Sequence, residues 1–249
     1  MASITVSARP IEQPEGFASR ALSFYRRALL GAAAGGIGGM LAGGVGGRLA
    51  MFLLRVTSPD YLSGVDSDDG FEIGVVSLAT LNLIATTAFL GSLAGIFVAL
   101  ALTYMPWAWA PSAWVIPGAT IGGAALIHGD GVDFTPVQPH WLAIALFVLV
   151  PALGLACVAH FIRLWEGWWW IDRRRTALAA ATGAWPLVVL FPLGLAVVAA
   201  GAAWAALSQN EAVRSLPRTV LAQRAAAAVF AAISLAFLPV LIHDLLDVL

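Results

Sequence analysis

The chain has no lysine, a single cysteine and, from Ile73 to Ile127, no charged residue at all. Each absence closes off a class of protein. One cysteine, Cys157, rules out an intrachain disulfide and a cysteine-rich metal centre. Without lysine, the run Gly35-Gly36-Ile37-Gly38-Gly39 cannot be a phosphate cradle, and no strand pattern precedes it. Nucleophile elbow, zinc-protease and dinucleotide signatures are missing as well. The reading is therefore of a protein that is not an enzyme, carries no cofactor and has no nucleic-acid partner. Charge is scarce: 11% of residues, against about 25% in ordinary soluble domains. Hydrophobic residues make up 60% and mean hydropathy is +0.88, so the chain reads as a polytopic membrane protein with no room for a separate soluble domain.

What is present in quantity is glycine at a spacing of four. Gly31, Gly35, Gly39, Gly43 and Gly47 run through an uncharged stretch closed by Arg26 and Arg27 on one side and Arg48 on the other. In water such a helix is poor, because each interior glycine costs roughly 1 kcal/mol against alanine. In lipid, helices associate by van der Waals packing, and small residues at i, i+4 let two backbones approach. The ladder predicts a helix built for close contact. Its expected partners are a second span carrying Gly91 and Gly95 and a third carrying Gly118 and Gly122. Steps of four advance about 40° around the axis, so five glycines wind across roughly 160°, and one flat partner cannot use them all.

A bilayer core needs about 20 helical residues. The apolar stretches 28–54, 74–102, 113–127, 141–162, 177–207 and 225–241 predict an all-α bundle of about six spans. Residues 1–27 form a cytoplasmic N-terminal segment and 28–249 a single transmembrane domain. Residues 1–25 lack the apolar core of a signal peptide, so the first span is expected to be retained. Arginine orients the set: Arg9, Arg20, Arg26 and Arg27 precede the first span, and Arg163, Arg173, Arg174 and Arg175 lie between the fourth and fifth, four crossings away. Trp165, Trp168, Trp169 and Trp170 beside the second cluster suit an interfacial aromatic belt. One loop resists. With six crossings, Arg214, Arg218 and Arg224 fall outside, leaving eight arginines inside and five outside. If 177–207, interrupted by Pro186 and Pro192, re-entered instead of crossing, the split would be eleven and two. The charge rule favours re-entry. Length favours a crossing, since 31 apolar residues reach about 46 Å as helix.

The outer loops carry the acids. Asp69-Gly70-Phe71-Glu72-Ile73 and Asp130-Gly131-Val132-Asp133-Phe134 share a pattern, and each precedes a returning helix. With Gly31-Ala32-x-x-Gly35-Gly36 and Gly118-Ala119-x-x-Gly122-Gly123 they suggest two related hairpins in tandem. Helix entry explains the acids simply, because carboxylates are stabilised at helix N-termini. A cation site is the sharper alternative: Asp66, Asp68, Asp69, Glu72, His128, Asp130 and Asp133, with His140, would supply oxygen and imidazole donors if the loops meet. The arrangement fails the EF-hand pattern, so no metal is assigned. Arg48 and Arg55, seven apart, share a face and either snorkel to the headgroups or pair with the acidic loop. Cys157, His160 and Arg163 repeat at i+3, and His243 and Asp247 form an i, i+4 pair; both read as polar helix ends. No acid lies mid-span, which argues against proton-coupled transport.

The runs Thr57-Ser58-Pro59-Asp60, Ser67-Asp68-Asp69-Gly70-Phe71-Glu72-Ile73-Gly74 and Asp130-Gly131-Val132-Asp133-Phe134 resemble uncharacterised multi-pass membrane proteins of actinobacterial type, over roughly the first 160 residues. That resemblance implies location and helical architecture only. Absent lysine and abundant alanine and glycine agree with a bacterial source, hence the cytoplasmic (inner) membrane. The expected function is a non-enzymatic helix-packing or assembly protein. Its partners are the lipid bilayer, a second copy of itself or another membrane protein. The alternative is a channel or transporter for a small solute or cation with an acidic extracytoplasmic mouth.

Overall fold

The computed structural model describes residues 16–58, 73, 75, 78–128, 137–167, 173–189 and 191–249. Among them every regular element is helical. The first helix, α1, spans Phe17–Thr57 and contains a widened π segment, Met40–Gly46. It ends at Ser58, whose backbone is extended ahead of Pro59, as the residue before a proline disfavours helix. Helix α2 is Leu78–Ala101. Two 3₁₀ turns, Pro106–Trp109 and Pro111–Trp114, lead into α3, residues 115–126, which holds a second π segment, Gly118–Gly122. Then come α4 (His140–Glu166), α5 (Arg173–Val189), α6 (Phe191–Leu207), the short α7 (Glu211–Ser215) and α8 (Val220–Val248).

Two apolar clusters mark the ends of the bundle. One gathers Leu30, Val98, Leu102, Trp114, Ile162 and Phe230. Here Arg27 lies 3.9 Å from Glu166 and donates to the Thr103 hydroxyl at 2.6 Å; we call this the arginine end. The other cluster gathers Leu54, Ile73, Ile127, Val137, Ala143, Leu241 and Val248. Helix α1 runs from the first cluster to the second, and α2 returns. Short α3 carries the chain back from Trp114 to Ile127, and α4 returns again from Ala143 to Ile162. Helix α8 takes Phe230 to the first cluster and Leu241 and Val248 to the second, so it is parallel to α1.

The α5–α6 pair behaves differently. The backbone of Gly183 packs on Leu29, Leu187 and Val197 pack against Ala28, Ala32 and Ile96, and Gly201 faces the Tyr25 ring. The Tyr25 hydroxyl donates to the Val198 carbonyl at 2.8 Å, and Arg20 donates to the Ser208 carbonyl. The pair thus contacts only the Arg20-to-Ala32 third of α1 in these interactions and finishes beside Arg20. A bend of 114° separates its halves. Pro192 removes the amide that would bond back to Val188, and Gly194 permits the fold-back, since a Cβ there would sit 2.5 Å from the Leu187 carbonyl.

Among the described residues four helices are long and apolar enough to cross a membrane: Phe17–Thr57, Thr80–Ala101, His140–Glu166 and Val220–Val248; the bent pair makes five if counted as one span. Among the described residues, two of the six expected spans are not single long helices. The stretch 177–207 is broken rather than one tilted helix, and 113–127 yields a helix of only 12 residues after its 3₁₀ turn.

Candidate functional site

Helices α1 and α2 approach closely enough for backbone to meet backbone. A Cβ placed on Gly31, Gly35 or Gly39 would collide with the carbonyl oxygens of Gly95, Gly91 and Thr87 respectively. The relation is reciprocal: a Cβ on Gly91 would lie 2.7 Å from the Gly39 Cα, and one on Gly95 2.8 Å from the Gly35 Cα. Backbone meets backbone along three turns. Ser92, fully buried beside Gly36, turns its hydroxyl back to the Ala88 carbonyl at 2.9 Å, so the seam carries no free polar group there.

The ladder is not used uniformly. Gly43, inside the π segment, meets the Thr87 side chain at 2.8 Å, whereas nothing lies within 4 Å of a Cβ on Gly47. Gly38, off the ladder, faces Val158 of α4. Gly118 and Gly122 do not meet α1; they receive Pro151 and Ala152 of α4. Both outgoing helices, α1 and α3, therefore pack glycine against the helix that follows them.

A cavity of about 290 Å³ lies beside the π segment of α1, which contributes Gly43 to its lining. Gly43 and Gly47 line it from α1, Thr87 from α2, His128 just beyond α3, and Phe147 and Val150 just before the proline. Widened helical turns often accompany functional sites. The Thr87 hydroxyl donates to the Leu83 carbonyl at 2.8 Å, which leaves His128 as the cavity's other polar lining side chain. Small-molecule sites of about 300 Å³ and up are built in this way, mostly apolar with few polar groups. The chemistry suits an apolar occupant rather than a hydrated ion.

Arg48 and Arg55 point from α1 to the start of the return. Arg55 donates to the Ile73 carbonyl at 2.9 Å and Arg48 to the Val75 carbonyl at 3.3 Å. Arg48 is buried. The pair pins the chain where α2 begins, a role that the seven-residue spacing makes available but cannot name.

The candidate ligands Asp66, Asp68, Asp69, Glu72, Asp130 and Asp133 lie outside the described residues, as do Trp168, Trp169 and Trp170. His128 is exposed at the cavity; His140 opens α4 half-buried. Among the described residues one group could hold a cation by spacing alone: His243 Nδ1 lies 3.1 Å from Asp247 and 3.7 Å from Asp244, on an exposed helix end. It is a contact between an exposed imidazole and two neighbouring carboxylates on one helix end. Cys157 is half-buried, and His160 stands edge-on to Phe161 with centroids 6.0 Å apart.

Several contacts escape sequence reasoning. Tyr25 and Arg20 hold α6, and Trp114 fills the first cluster. Tyr104 meets Trp204 edge-on at 6.2 Å between centroids, and burial pushes its phenol above the ordinary range, so it stays neutral. The available signal is the aromatic and arginine density near 104–114 and 20–27, which reads from sequence only as a turn and as a charge cluster. Set against protein-family models, curated proteins and solved structures, the chain matches none.

Proposed function

We propose that this is a non-enzymatic integral membrane protein of the bacterial cytoplasmic membrane whose helices pack into an assembly scaffold. The backbone-to-backbone seam of α1 and α2 carries this reading. A seam without side chains transmits no solute and holds no reactant, but it fixes two helices rigidly. The channel alternative gains less support, because the cavity is apolar. Reconstituted into liposomes, the protein is expected to pass no sodium, potassium or calcium above protein-free vesicles; a flux abolished by Asp69→Asn would establish the alternative instead.

The finer topology we infer is five crossings, α1, α2, α3, α4 and α8, with the α5–α6 pair dipping in and returning to the cytoplasmic face. Two independent lines support it. The pair meets α1 between Arg20 and Ala32, reaches α2 at Ile96 and, through Trp185, at Phe89, and finishes beside Arg20, while α8 is parallel to α1. Arginine then divides with Arg9, Arg20, Arg26, Arg27, Arg163, Arg173, Arg174, Arg175, Arg214, Arg218 and Arg224 inside and only Arg48 and Arg55 outside, as the positive-inside rule demands. The stretch 113–127 is short for a crossing, and its neighbours shield the ends. Alkaline phosphatase fused after Leu249 is expected to be active and green fluorescent protein dark. The reverse would restore an even number of crossings.

A further inference from the structure

We infer that the arginine end is a binding surface for anionic phospholipid headgroups; this rests on the topology proposed above. The described arginines at this end are Arg20, Arg26, Arg27, Arg163, Arg214, Arg218 and Arg224, against two described acids, Glu166 and Glu211. Both acids are engaged. Glu166 faces Arg27 at 3.9 Å, and Glu211 faces Arg214 at 3.4 Å. Arg20 is committed to the Ser208 carbonyl, where it closes the α5–α6 pair. Arg163, Arg218 and Arg224 are exposed and make no ion pair among the described residues. Among the described residues this end thus presents three exposed guanidinium groups with no acid beside them.

Their surroundings identify the partner. The connection from α6 to α8 interleaves Arg214, Arg218 and Arg224 with exposed Leu216, Val220 and Leu221. Asn210 caps α7 by accepting from the Ala212 amide at 2.9 Å, and the Thr219 hydroxyl accepts from the Ala222 amide at 3.2 Å, so the segment is ordered rather than a loose tail. Apolar side chains alternating with guanidinium groups suit a segment lying in the interface, with its chains in the acyl boundary and its charges among phosphates. An acidic soluble protein would leave those leucines in water. Aromatic rings mark the same depth: Trp165 stacks on Phe161 with centroids 5.1 Å apart, and Trp204 meets Tyr104. The guanidinium fork matches a phosphodiester, and an anionic leaflet adds attraction for each arginine near it.

The test uses full-length protein in nanodiscs of phosphatidylcholine with or without phosphatidylglycerol, with bound lipid counted by native mass spectrometry. Wild type is expected to retain phosphatidylglycerol over phosphatidylcholine by about ten-fold, less in high salt, given the attraction per arginine. Arg163→Gln/Arg218→Gln/Arg224→Gln is expected to bring the two lipids near parity with an unchanged circular dichroism spectrum. Should that variant not fold, Arg224→Gln alone is expected to reduce the preference measurably. Parity in wild type, or a preference untouched by the substitutions, overturns the proposal. Gln209→Cys in a Cys157→Ser background separates the two readings. If the thiol introduced at position 209 reacts with an impermeant maleimide from the outer face, the topology is wrong and this surface goes with it. Protection there with no lipid preference defeats the lipid surface alone.

Discussion

Gly35→Leu is expected to destabilise the folded bundle severely in detergent, while Gly47→Ala leaves it intact or slightly more stable. The two glycines belong to the same i+4 ladder and differ only in what they face. At Gly35 even a methyl group would strike the Gly91 carbonyl and come within 2.9 Å of the Gly95 Cα. These are backbone atoms, so no rotamer change relieves the clash. Leucine must push α2 outward, which also separates Gly31 from Gly95 and Gly39 from Gly91. Overpacking a core commonly costs about 1–3 kcal/mol where side chains can yield; here about 3 kcal/mol or more is expected, out of a total stability of roughly 5–15. At Gly47 nothing lies within 4 Å, and alanine recovers up to about 1 kcal/mol of helix propensity. Thermal unfolding followed by size-exclusion chromatography reads both. A Gly35→Leu protein that melts with wild type would mean that the two helices do not touch along this line.

The ladder shows where sequence reasoning succeeds and where it stops. Spacing alone predicts a close-packing face and names Gly91 and Gly95 opposite it, because only small residues permit that approach. Spacing cannot tell that the partner of Gly118 and Gly122 is α4, since they receive Pro151, a proline inside a helix that no periodicity announces as a contact. Nor can it foresee the π segment Met40–Gly46. A π turn advances fewer degrees per residue than an α turn, so it offsets the drift of the four-residue steps and keeps Gly43 on the α2 side. The stretch 177–207 stays undecided in the sequence for a physical reason as well: length and charge point in opposite directions. Contacts at Gly183, Gly194 and Gly201 decide how it bends, and each of these glycines reads from the sequence merely as a small residue. The acidic loops are legible as loops, and their candidate ligands lie outside the described residues.

Trp114→Ala is the second large effect expected, and it acts on a helix that the glycine seam never touches. Helix α8 exposes much of its surface, with Leu221 80% and Leu246 69% accessible, so few contacts hold it to the rest. One attachment is at the arginine end, where the Trp114 ring stands 5.0 Å from Phe230 at 68°. The other is the second cluster, where Leu241 lies against Gly123 and Val248 is buried beside it. Trp114 is itself 1% exposed, and its indole N–H donates to the Ala108 carbonyl at 2.7 Å. That bond ties the two 3₁₀ turns together before α3 begins. Truncation to alanine removes the ring from between α3, α4 and α8 and leaves a buried carbonyl unpaired; such changes cost about 3–5 kcal/mol for the ring and about 1–3 for the orphaned group. Trp114→Phe keeps most of the ring and loses the N–H, so its expected cost is the smaller, about 1–3 kcal/mol. The order wild type, Trp114→Phe, Trp114→Ala should appear in melting temperature. It should appear again in the maleimide reactivity of Ala226→Cys, measured in a Cys157→Ser background, since Ala226 packs half-buried against the first cluster and freeing that end of α8 exposes it. If Trp114→Ala lowered the melting temperature yet left the thiol introduced at position 226 as protected as before, the ring would stabilise the 3₁₀ turns without holding α8, and α8 would rest on the second cluster through Leu241 and Val248.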